Sequence, residues 1–398
     1  MKERAVLIDV VEPGTTPEES ELRLNELDSL VRTFGGVSIV RSMQKRSKPD
    51  YKTYVGTGKV EEVLDEYNGS ENLDVIILNN ILKPRQIYNL EEFCSNYQIE
   101  KIKDTERFEV PKKIKVWDRV DLILKIFDKH AKTIEAKLQI ELASIKHMGP
   151  RIFGMGMELS RQGGGIGTIG VGETNTERMK RALQKRTRDL EEKVKNYGDI
   201  QARQRLSRSK RNQKTIALAG YTNAGKSTLL KALTKKKDVY IADELFATLD
   251  SKIGELFIPS ETHDMPGRTV LLADTIGFIQ DLPPSLIKAF KTTLAEIVDA
   301  DLILHVIDIS DENMQLKIKV VEEILDDLLK DRIKLGEAPE RVFVFNKFDR
   351  LGKMSHQDRL KYVIELTKQY EDFEPQMLSA LDKESLPKLI KVISEKMK

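Results

Sequence analysis

Cysteine is almost absent from this sequence of 398 residues, which contains Cys94 and no other. A single thiol excludes an internal disulfide framework and any zinc cluster built from cysteines, and the five histidines are scattered along the chain. We expect Cys94 to be a buried structural thiol.

Long hydrophobic runs are also missing. No uninterrupted apolar stretch approaches the roughly 20 residues that a membrane-spanning helix needs, and no charged-then-apolar leader follows Met1. With 40% hydrophobic and 33% charged residues, the composition is typical of a globular protein of two or three domains, each able to bury a core. We therefore expect a cytoplasmic protein that is not integral to a membrane.

The net charge of +2 conceals a strongly basic segment. Between Thr176 and Lys214 the sequence has fourteen Lys or Arg residues against five Asp or Glu, a net charge of +9. A basic segment on an otherwise acidic chain is a candidate surface for a polyanion, and a solvated charged helix explains the same composition. Both interpretations stay open on composition alone.

Short apolar runs alternate with helical patterns in the first hundred or so residues. The runs "AVLIDV", "GVSIV", "DVIIL" and "IEKIK" predict strands, while Glu18–Phe34 and a segment that starts at Pro84 predict helices. This alternation predicts a small, mostly parallel α/β domain over residues 1–117.

From about Asp118 the hydrophobic pattern becomes purely helical. Apolar residues recur at spacings of three and four in two stretches, which predict two amphipathic helices. Between them, Gly149–Glu173 contains nine glycines among 25 residues, and glycine costs about 1 kcal/mol per helical position relative to alanine. We therefore expect a helical hairpin over residues 118–211 with a glycine-rich tip that is not helical.

The glycine-rich segment contains G-x-G-x-x-G at Gly165, Gly167 and Gly170, a pattern of dinucleotide-binding turns. Such a turn needs a buried strand before the glycines and an acidic residue at the end of a second strand about 20 residues later. Here the glycines follow the polar "MELSRQ" and precede a basic helix, which disfavours a dinucleotide site. Unencumbered N–H groups suit phosphate instead, and Arg151 and Arg161 add positive charge.

A buried strand pattern, "KTIALAG", runs directly into "GYTNAGKST" and then into the helical "LLKAL". G-x-x-x-x-G-K-S in this context is a phosphate loop, in which backbone N–H groups and the helix N-terminus bind the α- and β-phosphates. Lys226 is expected to reach the β- and γ-phosphates, and the Ser227 hydroxyl to ligate Mg²⁺. The predicted phosphate-loop residues are Gly220, Tyr221, Thr222, Asn223, Ala224, Gly225, Lys226, Ser227 and Thr228.

Two further motifs complete a predicted Mg²⁺ and γ-phosphate site. The strand "VLLADTIGF" ends in D-x-x-G, which places Asp274 where a carboxylate holds Mg²⁺ through water and the Gly277 N–H near the γ-phosphate. Thr248 in "LFATLD" is the expected switch threonine, whose hydroxyl completes the Mg²⁺ shell. The predicted catalytic groups are Lys226, Thr248 and Gly277, and the predicted metal ligands are Ser227, Thr248 and Asp274.

The nucleotide base is predicted from a later strand, "RVFVFNKFD", which ends in N-K-x-D. Asp349 can accept from guanine N1–H and N2–H₂ together, which adenine cannot satisfy, and Asn346 braces the base loop. The following "MLSAL" brings the Ala380 N–H to guanine O6. The predicted base-loop residues are Asn346, Lys347, Asp349, Ser379 and Ala380, and the predicted substrate is GTP.

These motifs lie on a predicted doubly wound, six-stranded P-loop G domain over residues 212–398. We expect the domain to end with a helix over Leu386–Met397, with no further domain beyond it.

Phe278 follows D-x-x-G, where many G domains have a glutamine that orients the attacking water, so we expect slow hydrolysis by the free protein. Asn223 either holds a K⁺ ion beside the phosphates or only closes the loop.

The whole sequence resembles the HflX family of ribosome-associated GTPases. The resemblance rests on "SRQGGGIGT" followed by "GVGE", and on "DRVDLILKIF", "AKLQIELA", "YVGTGKVEEV", "DTIGFIQDLP" and "AFKTTLAEIVDADLILHVID". Val120 stands where the family usually has threonine, and we expect no counterpart of the C-terminal domain of longer members. The resemblance implies a GTPase that binds the large ribosomal subunit and splits stalled or idle ribosomes under stress.

The resemblance also implies that the helical hairpin contacts ribosomal RNA, with its loop reaching toward the peptidyl transferase centre. The candidate RNA contacts are Arg151, Arg161, Gly163, Gly164, Gly165, Arg178, Lys180 and Arg181. Two other functions stay open: a ribosome assembly or RNA-modification GTPase, and an ATP-dependent RNA-remodelling enzyme that uses the N-terminal domain as a second nucleotide site. The expected protein is a monomer that does not bind DNA.

Overall fold

The computed structural model describes residues 2–66, 73–103, 113–162, 169–210, 213–234, 252–259, 267–280, 286–287 and 290–397. The chain forms two compact units, one of Met1–Lys129 with Lys137–Lys193 and one of His130–Ala136 with Val194–Lys398. Each unit contains one β-sheet. None of the helices in the described ranges is both long enough and apolar enough to span a bilayer.

The first unit has a four-stranded parallel sheet in the order β2-β1-β3-β4. Its strands are β1 (Arg4–Val11), β2 (Val37–Lys45), β3 (Val75–Leu78) and β4 (Lys115–Asp118), and the connecting helices are α1 (Pro17–Phe34), α2 (Thr57–Glu66) and α3 (Pro84–Lys103). β1 and β3 are almost entirely buried because parallel strands in such folds are covered on both faces. The predicted small α/β fold is confirmed.

The predicted fourth strand of this sheet is wrong. The run "IEKIK" lies in the last turns of α3, and the fourth strand is β4 instead. Ile87, Leu90 and Cys94 are buried at helical spacing along α3, and the helix continues through this short run to Lys103. Cys94 is fully buried, as expected, and burial raises the pKa of its thiol to about 12.

Three helices follow β4: α4 (Arg119–His130), α5 (Ile134–Gln162) and α6 (Ile169–Lys210). Within the first unit, Arg186 on α6 donates to both carboxylate oxygens of Glu141 on α5, at 2.7 and 2.8 Å. Lys146 and Glu191 form a second ion pair between the two helices, at 2.8 Å. The two predicted amphipathic helices are confirmed.

The expectation that Gly149–Glu173 is not helical is wrong for the residues that the structure describes. α5 continues to Gln162 and α6 begins at Ile169, so that the described glycines of this segment lie in helices. Each isolated glycine costs about 1 kcal/mol, but propagation of an existing helix adds one hydrogen bond per residue. Residues 163–168, which include the tip glycines, lie outside the described residues.

The second unit has a six-stranded sheet in the order β10-β9-β8-β5-β7-β6, and β6 runs antiparallel to β7. The strands are β5 (Thr215–Ala219), β6 (Lys252–Ile258), β7 (Arg268–Asp274), β8 (Leu302–Asp308), β9 (Glu340–Asn346) and β10 (Gln376–Met377). The described helices are α7 (Lys226–Leu233), α8 (Lys291–Val298), α9 (Met314–Leu335), α10 (His356–Gln369) and α11 (Leu386–Lys396). The predicted doubly wound G-domain fold is confirmed.

Two apolar clusters pack against this sheet. One includes Leu229 of α7 and Leu389 of α11, and the other includes Ile318 of α9, Leu366 of α10 and Phe343 of β9. The parallel strands β5, β7, β8 and β9 end at the same edge, where open α/β sheets bind their ligands. The segments that follow these strands therefore define the candidate site.

Candidate nucleotide site

The loop between β5 and α7 has the backbone of a phosphate loop. Asn223 and Gly225 both adopt left-handed conformations, with φ of 62° and 96°. A Cβ atom at Gly225 would lie 2.2 Å from Nδ2 of Asn346, so that glycine is needed there both for its φ and for space. The loop then enters α7, whose N-terminus can bind an anion.

Lys226 is the first residue of α7, and its side chain is buried under the loop. Its ammonium donates to the carbonyl oxygens of Gly220 at 3.1 Å and Tyr221 at 2.8 Å. Burial lowers the pKa of Lys226 to about 8, while nearby Asp274 raises it and Lys347 lowers it further. An ammonium held this way can contact phosphate oxygens that lie in the loop.

Ser227 and Asp274 are brought together from α7 and the end of β7. The Ser227 hydroxyl donates to Oδ2 of Asp274 at 2.6 Å, and Asp274 is fully buried. A hydroxyl and a carboxylate are hard oxygen donors of the kind that Mg²⁺ prefers. The pair therefore fits a magnesium site beside the phosphate loop.

The D-x-x-G segment after β7 lies directly against the phosphate loop. A Cβ atom at Gly277 would lie 2.8 Å from the Cα atom of Thr222 and 2.9 Å from Nζ of Lys226. Only glycine allows this approach, which places the backbone of Gly277 near the Lys226 ammonium. Phe278, the next residue, is only 1% exposed.

Asn346 at the end of β9 joins the base loop to the phosphate loop. Its Nδ2 donates to the Ala224 carbonyl at 2.9 Å, and its Oδ1 accepts the Ala380 N–H at 2.9 Å. Asp349 accepts a hydrogen bond from the Ser379 hydroxyl at 2.6 Å. The structure thus brings Asn346, Asp349, Ser379 and Ala380 together at the ends of β9 and β10.

Lys347 makes contacts that the sequence did not indicate. Its ammonium donates to the Asn223 carbonyl at 2.7 Å and pairs with Oδ2 of Asp308 at 2.7 Å. Asp308 ends β8, and its place at the carboxyl end of a buried strand next to β5 is the signal that identifies it. Lys347 therefore links the base loop, the phosphate loop and β8.

Some predicted residues belong to the first unit or lie outside the described residues. Thr248, Gly163, Gly164 and Gly165 lie outside them. Arg178, Lys180 and Arg181 are exposed on α6, and Arg151 and Arg161 lie on α5.

A second cluster of chemically active groups lies in the first unit, where Asp118, Asp121 and His147 meet. Asp121 N–H donates to Oδ1 of Asp118 at 2.8 Å, and Asp118 N–H to Oδ2 of Asp121 at 3.3 Å, which forms a reciprocal cap on α4. Nε2 of His147 lies 3.1 Å from Oδ1 of Asp118. The cap accounts for both carboxylates, and we assign the cluster a structural role.

Comparison with known proteins matches three families in succession. Residues 21–128 match the family described as GTP-binding GTPase N-terminal, and residues 130–211 match GTP-binding GTPase Middle Region. Residues 215–347 match 50S ribosome-binding GTPase. The matches together extend over most of the chain.

Several curated relatives are named GTPase HflX. The GTPase HflX of Caldanaerobacter subterraneus subsp. tengcongensis is 43% identical over 350 residues, which cover 88% of this chain and 73% of the relative. The GTPase HflX of Alkalihalophilus pseudofirmus is 40% identical over 332 residues, covering 82% and 72%. The GTPase HflX of Escherichia coli is 34% identical over 407 residues, covering 99% and 83%. Identity at this level over most of each chain shows that this protein belongs to the HflX family and is a GTP-hydrolysing enzyme.

Proposed function

We propose that this GTPase binds the large ribosomal subunit through its RNA and splits or rescues ribosomes under stress, as a monomer in the cytoplasm. The observation that carries the proposal is the basic surface of α6, where Arg178, Lys180 and Arg181 are exposed within a segment of net charge +9. Such a surface suits a phosphate backbone. The match of residues 215–347 to a 50S ribosome-binding GTPase supports the large subunit as the partner.

GTP binds, in this proposal, along the edge where β5, β7 and β9 end. The N–H groups of the phosphate loop contact the α- and β-phosphates, the Lys226 ammonium contacts the β- and γ-phosphates, and the Gly277 N–H contacts the γ-phosphate. Asp349 accepts from N1 and N2 of guanine, and the Ala380 N–H donates to O6.

Mg²⁺ is held by Ser227 directly and by Asp274 through water, and Thr248 completes the shell. The ion, when bound, neutralises charge on the β- and γ-phosphate oxygens. The 2.6 Å contact between Ser227 and Asp274 supports these two ligands.

Among the described residues, the position after D-x-x-G has no polar side chain that could orient the attacking water. Phe278 occupies the position after D-x-x-G, and its ring is buried. Phosphoryl transfer depends mainly on positioning and charge stabilisation, so the free protein should turn over GTP slowly. Large subunits should then stimulate turnover by ~10³-fold or more, as measured by phosphate release with and without subunits. Fast turnover by the free protein would contradict this prediction.

The splitting activity is tested by light scattering of intact ribosomes mixed with the full chain. We expect a fall in scattering with GTP and none with GDP, because only the triphosphate can engage Gly277. Unchanged scattering with stimulated hydrolysis would reject splitting and favour the ribosome assembly or RNA-modification alternative. Hydrolysis of ATP instead of GTP would favour the RNA-remodelling alternative.

We also propose that Asn223 holds a K⁺ ion beside the β- and γ-phosphates, which would stabilise developing charge. Asn223 is exposed in the phosphate loop, and its backbone is left-handed with φ of 62°. Asn223→Gly removes the amide but keeps the backbone conformation accessible. Wild type should hydrolyse GTP faster in K⁺ than in Na⁺ at equal ionic strength, and the variant should not distinguish the two salts. Equal rates for wild type in both salts would assign Asn223 to loop closure alone.

A further inference from the structure

The phosphate loop and the D-x-x-G segment are joined by a short backbone ladder. The Phe278 N–H donates to the Gly220 carbonyl at 3.1 Å, and the Thr222 N–H donates to the Phe278 carbonyl at 2.8 Å. Tyr221 and Phe278 thus form an isolated parallel bridge. This ladder holds Gly277 against the phosphate loop.

The Tyr221 side chain closes the ladder at its far end. Its phenol oxygen accepts the backbone N–H of Gln280 at 2.7 Å. The ring lies beneath the ammonium of Lys317, at 5.0 Å from the ring centroid, and Lys317 is paired with Asp311. Lys317 of α9 therefore contacts the Tyr221 ring, while the phenol oxygen accepts from Gln280, which lies 59 residues later in the sequence.

This arrangement determines which way two successive residues point. The backbone of Gly277 approaches Lys226, and the Phe278 ring is turned into the interior. Because Gly277 and Phe278 share a peptide bond, a twist of this segment would move the Phe278 ring and the Gly277 backbone together. The same twist would move the Gly277 N–H away from the γ-phosphate.

We propose that Tyr221 is a positioning residue for GTP hydrolysis: its hydroxyl, by holding Gln280, keeps Gly277 at the phosphates and Phe278 away from them. Tyr221 acts through the D-x-x-G segment and does not touch the reacting atoms. This role requires only that the protein hydrolyses GTP, and it does not depend on the proposed binding to ribosomes.

The test is Tyr221→Phe in the full chain, which removes the hydroxyl and keeps the ring under Lys317. Loss of one such hydrogen bond should lower single-turnover kcat at saturating GTP by about five- to tenfold. The Kd for GDP should stay within about twofold, because GDP has no γ-phosphate for Gly277 to contact and Lys226 still bonds the loop carbonyls. Hydrogen exchange at the Gln280 amide should become faster in the same variant.

Two further variants separate this role from general support of the fold. Tyr221→Leu removes the ring as well, and it should lower kcat to the same extent if the hydroxyl carries the effect. Tyr370→Phe is the matched control, because the Tyr370 hydroxyl contacts Gln369 and not the D-x-x-G segment. An unchanged kcat and unchanged Gln280 exchange in Tyr221→Phe would overturn the proposal, and so would a loss of kcat matched by an equal loss of GDP affinity.

Discussion

In the proposed site, the choice of nucleotide depends on the Asp349 carboxylate. Its Oδ1 already accepts from Ser379 at 2.6 Å, and neighbouring Asn346 is bonded to both Ala224 and Ala380. The sequence predicted Asn346 and Asp349 from N-K-x-D, because the spacing alone places them on one loop after a strand, and it predicted Ser379 and Ala380 from "MLSAL". It could not show that Ser379 fixes the Asp349 carboxylate, since that contact spans 30 residues.

Asp349→Asn should weaken GTP binding by about 10²-fold or more and favour xanthosine triphosphate. A carboxylate pairs with both N1–H and N2–H₂ of guanine, whereas an amide leaves one buried group without a matching partner. Competition binding with the two triphosphates measures the change. Asp372→Asn, at an exposed position away from the base loop, is the control, and unchanged GTP affinity in Asp349→Asn would show that the base loop is wrongly assigned.

Helix α6 has three exposed basic residues close together, at Arg178, Lys180 and Arg181. Charge reversal of Arg178, Lys180 and Arg181 together should weaken binding to large subunits and flatten its dependence on salt. For each phosphate that the variant no longer neutralises, the slope of log K against log salt should decrease in magnitude by about one unit. Binding of the two proteins to large subunits over a series of salt concentrations measures both slopes.

The matched control reverses three exposed lysines of the second unit, at Lys361, Lys368 and Lys388. It changes the net charge by the same amount, so it reports any effect of overall charge. Equal slopes for wild type and the α6 variant would show that this face of α6 is only a solvated surface.

Strands and helices are predicted correctly from the sequence where the local hydrophobic pattern agrees with the pairing of strands in the sheet. β5 and β8 are mostly apolar and almost entirely buried, as expected of strands in a sheet covered on both faces. "IEKIK" was misassigned because five residues are too few to separate helical from strand spacing. The glycines of α5 led to the wrong prediction of a non-helical segment. Intrinsic helix propensity describes each residue alone, whereas propagation of a helix also depends on the neighbouring turns.

Ionisable groups buried in the second unit affect the stability of the molecule. His305 of β8 is 1% exposed and lies 2.7 Å from Glu322 of α9, which also bonds Arg341 of β9. Burial lowers the pKa of His305, the bond and charge of Glu322 oppose this, and Lys226 and Arg341 lower it further. No motif pointed to this group, because its partners are distant in sequence.

Stability should fall as the pH decreases below about 6.5, the ordinary pKa of histidine. In this range the unfolded chain binds a proton at His305 that the folded chain does not, so protonation favours unfolding. Urea unfolding at pH 7.5 and 5.5 measures the effect, above the range in which Glu322 titrates. His305→Gln should show a weaker pH dependence than wild type, and the exposed His356→Gln should not. An identical pH dependence in His305→Gln would rule out His305 as the source.

The buried Cys94 thiol makes this protein unusually convenient for labelling. Maleimides and disulfide reagents react with thiolates, and a fully buried thiol with a pKa of about 12 presents almost none at neutral pH. A cysteine introduced at an exposed position such as Leu381, beside the base loop, would be the single reactive site in the chain. A single fluorophore could therefore be attached at that position to follow nucleotide exchange, without first removing the native cysteine.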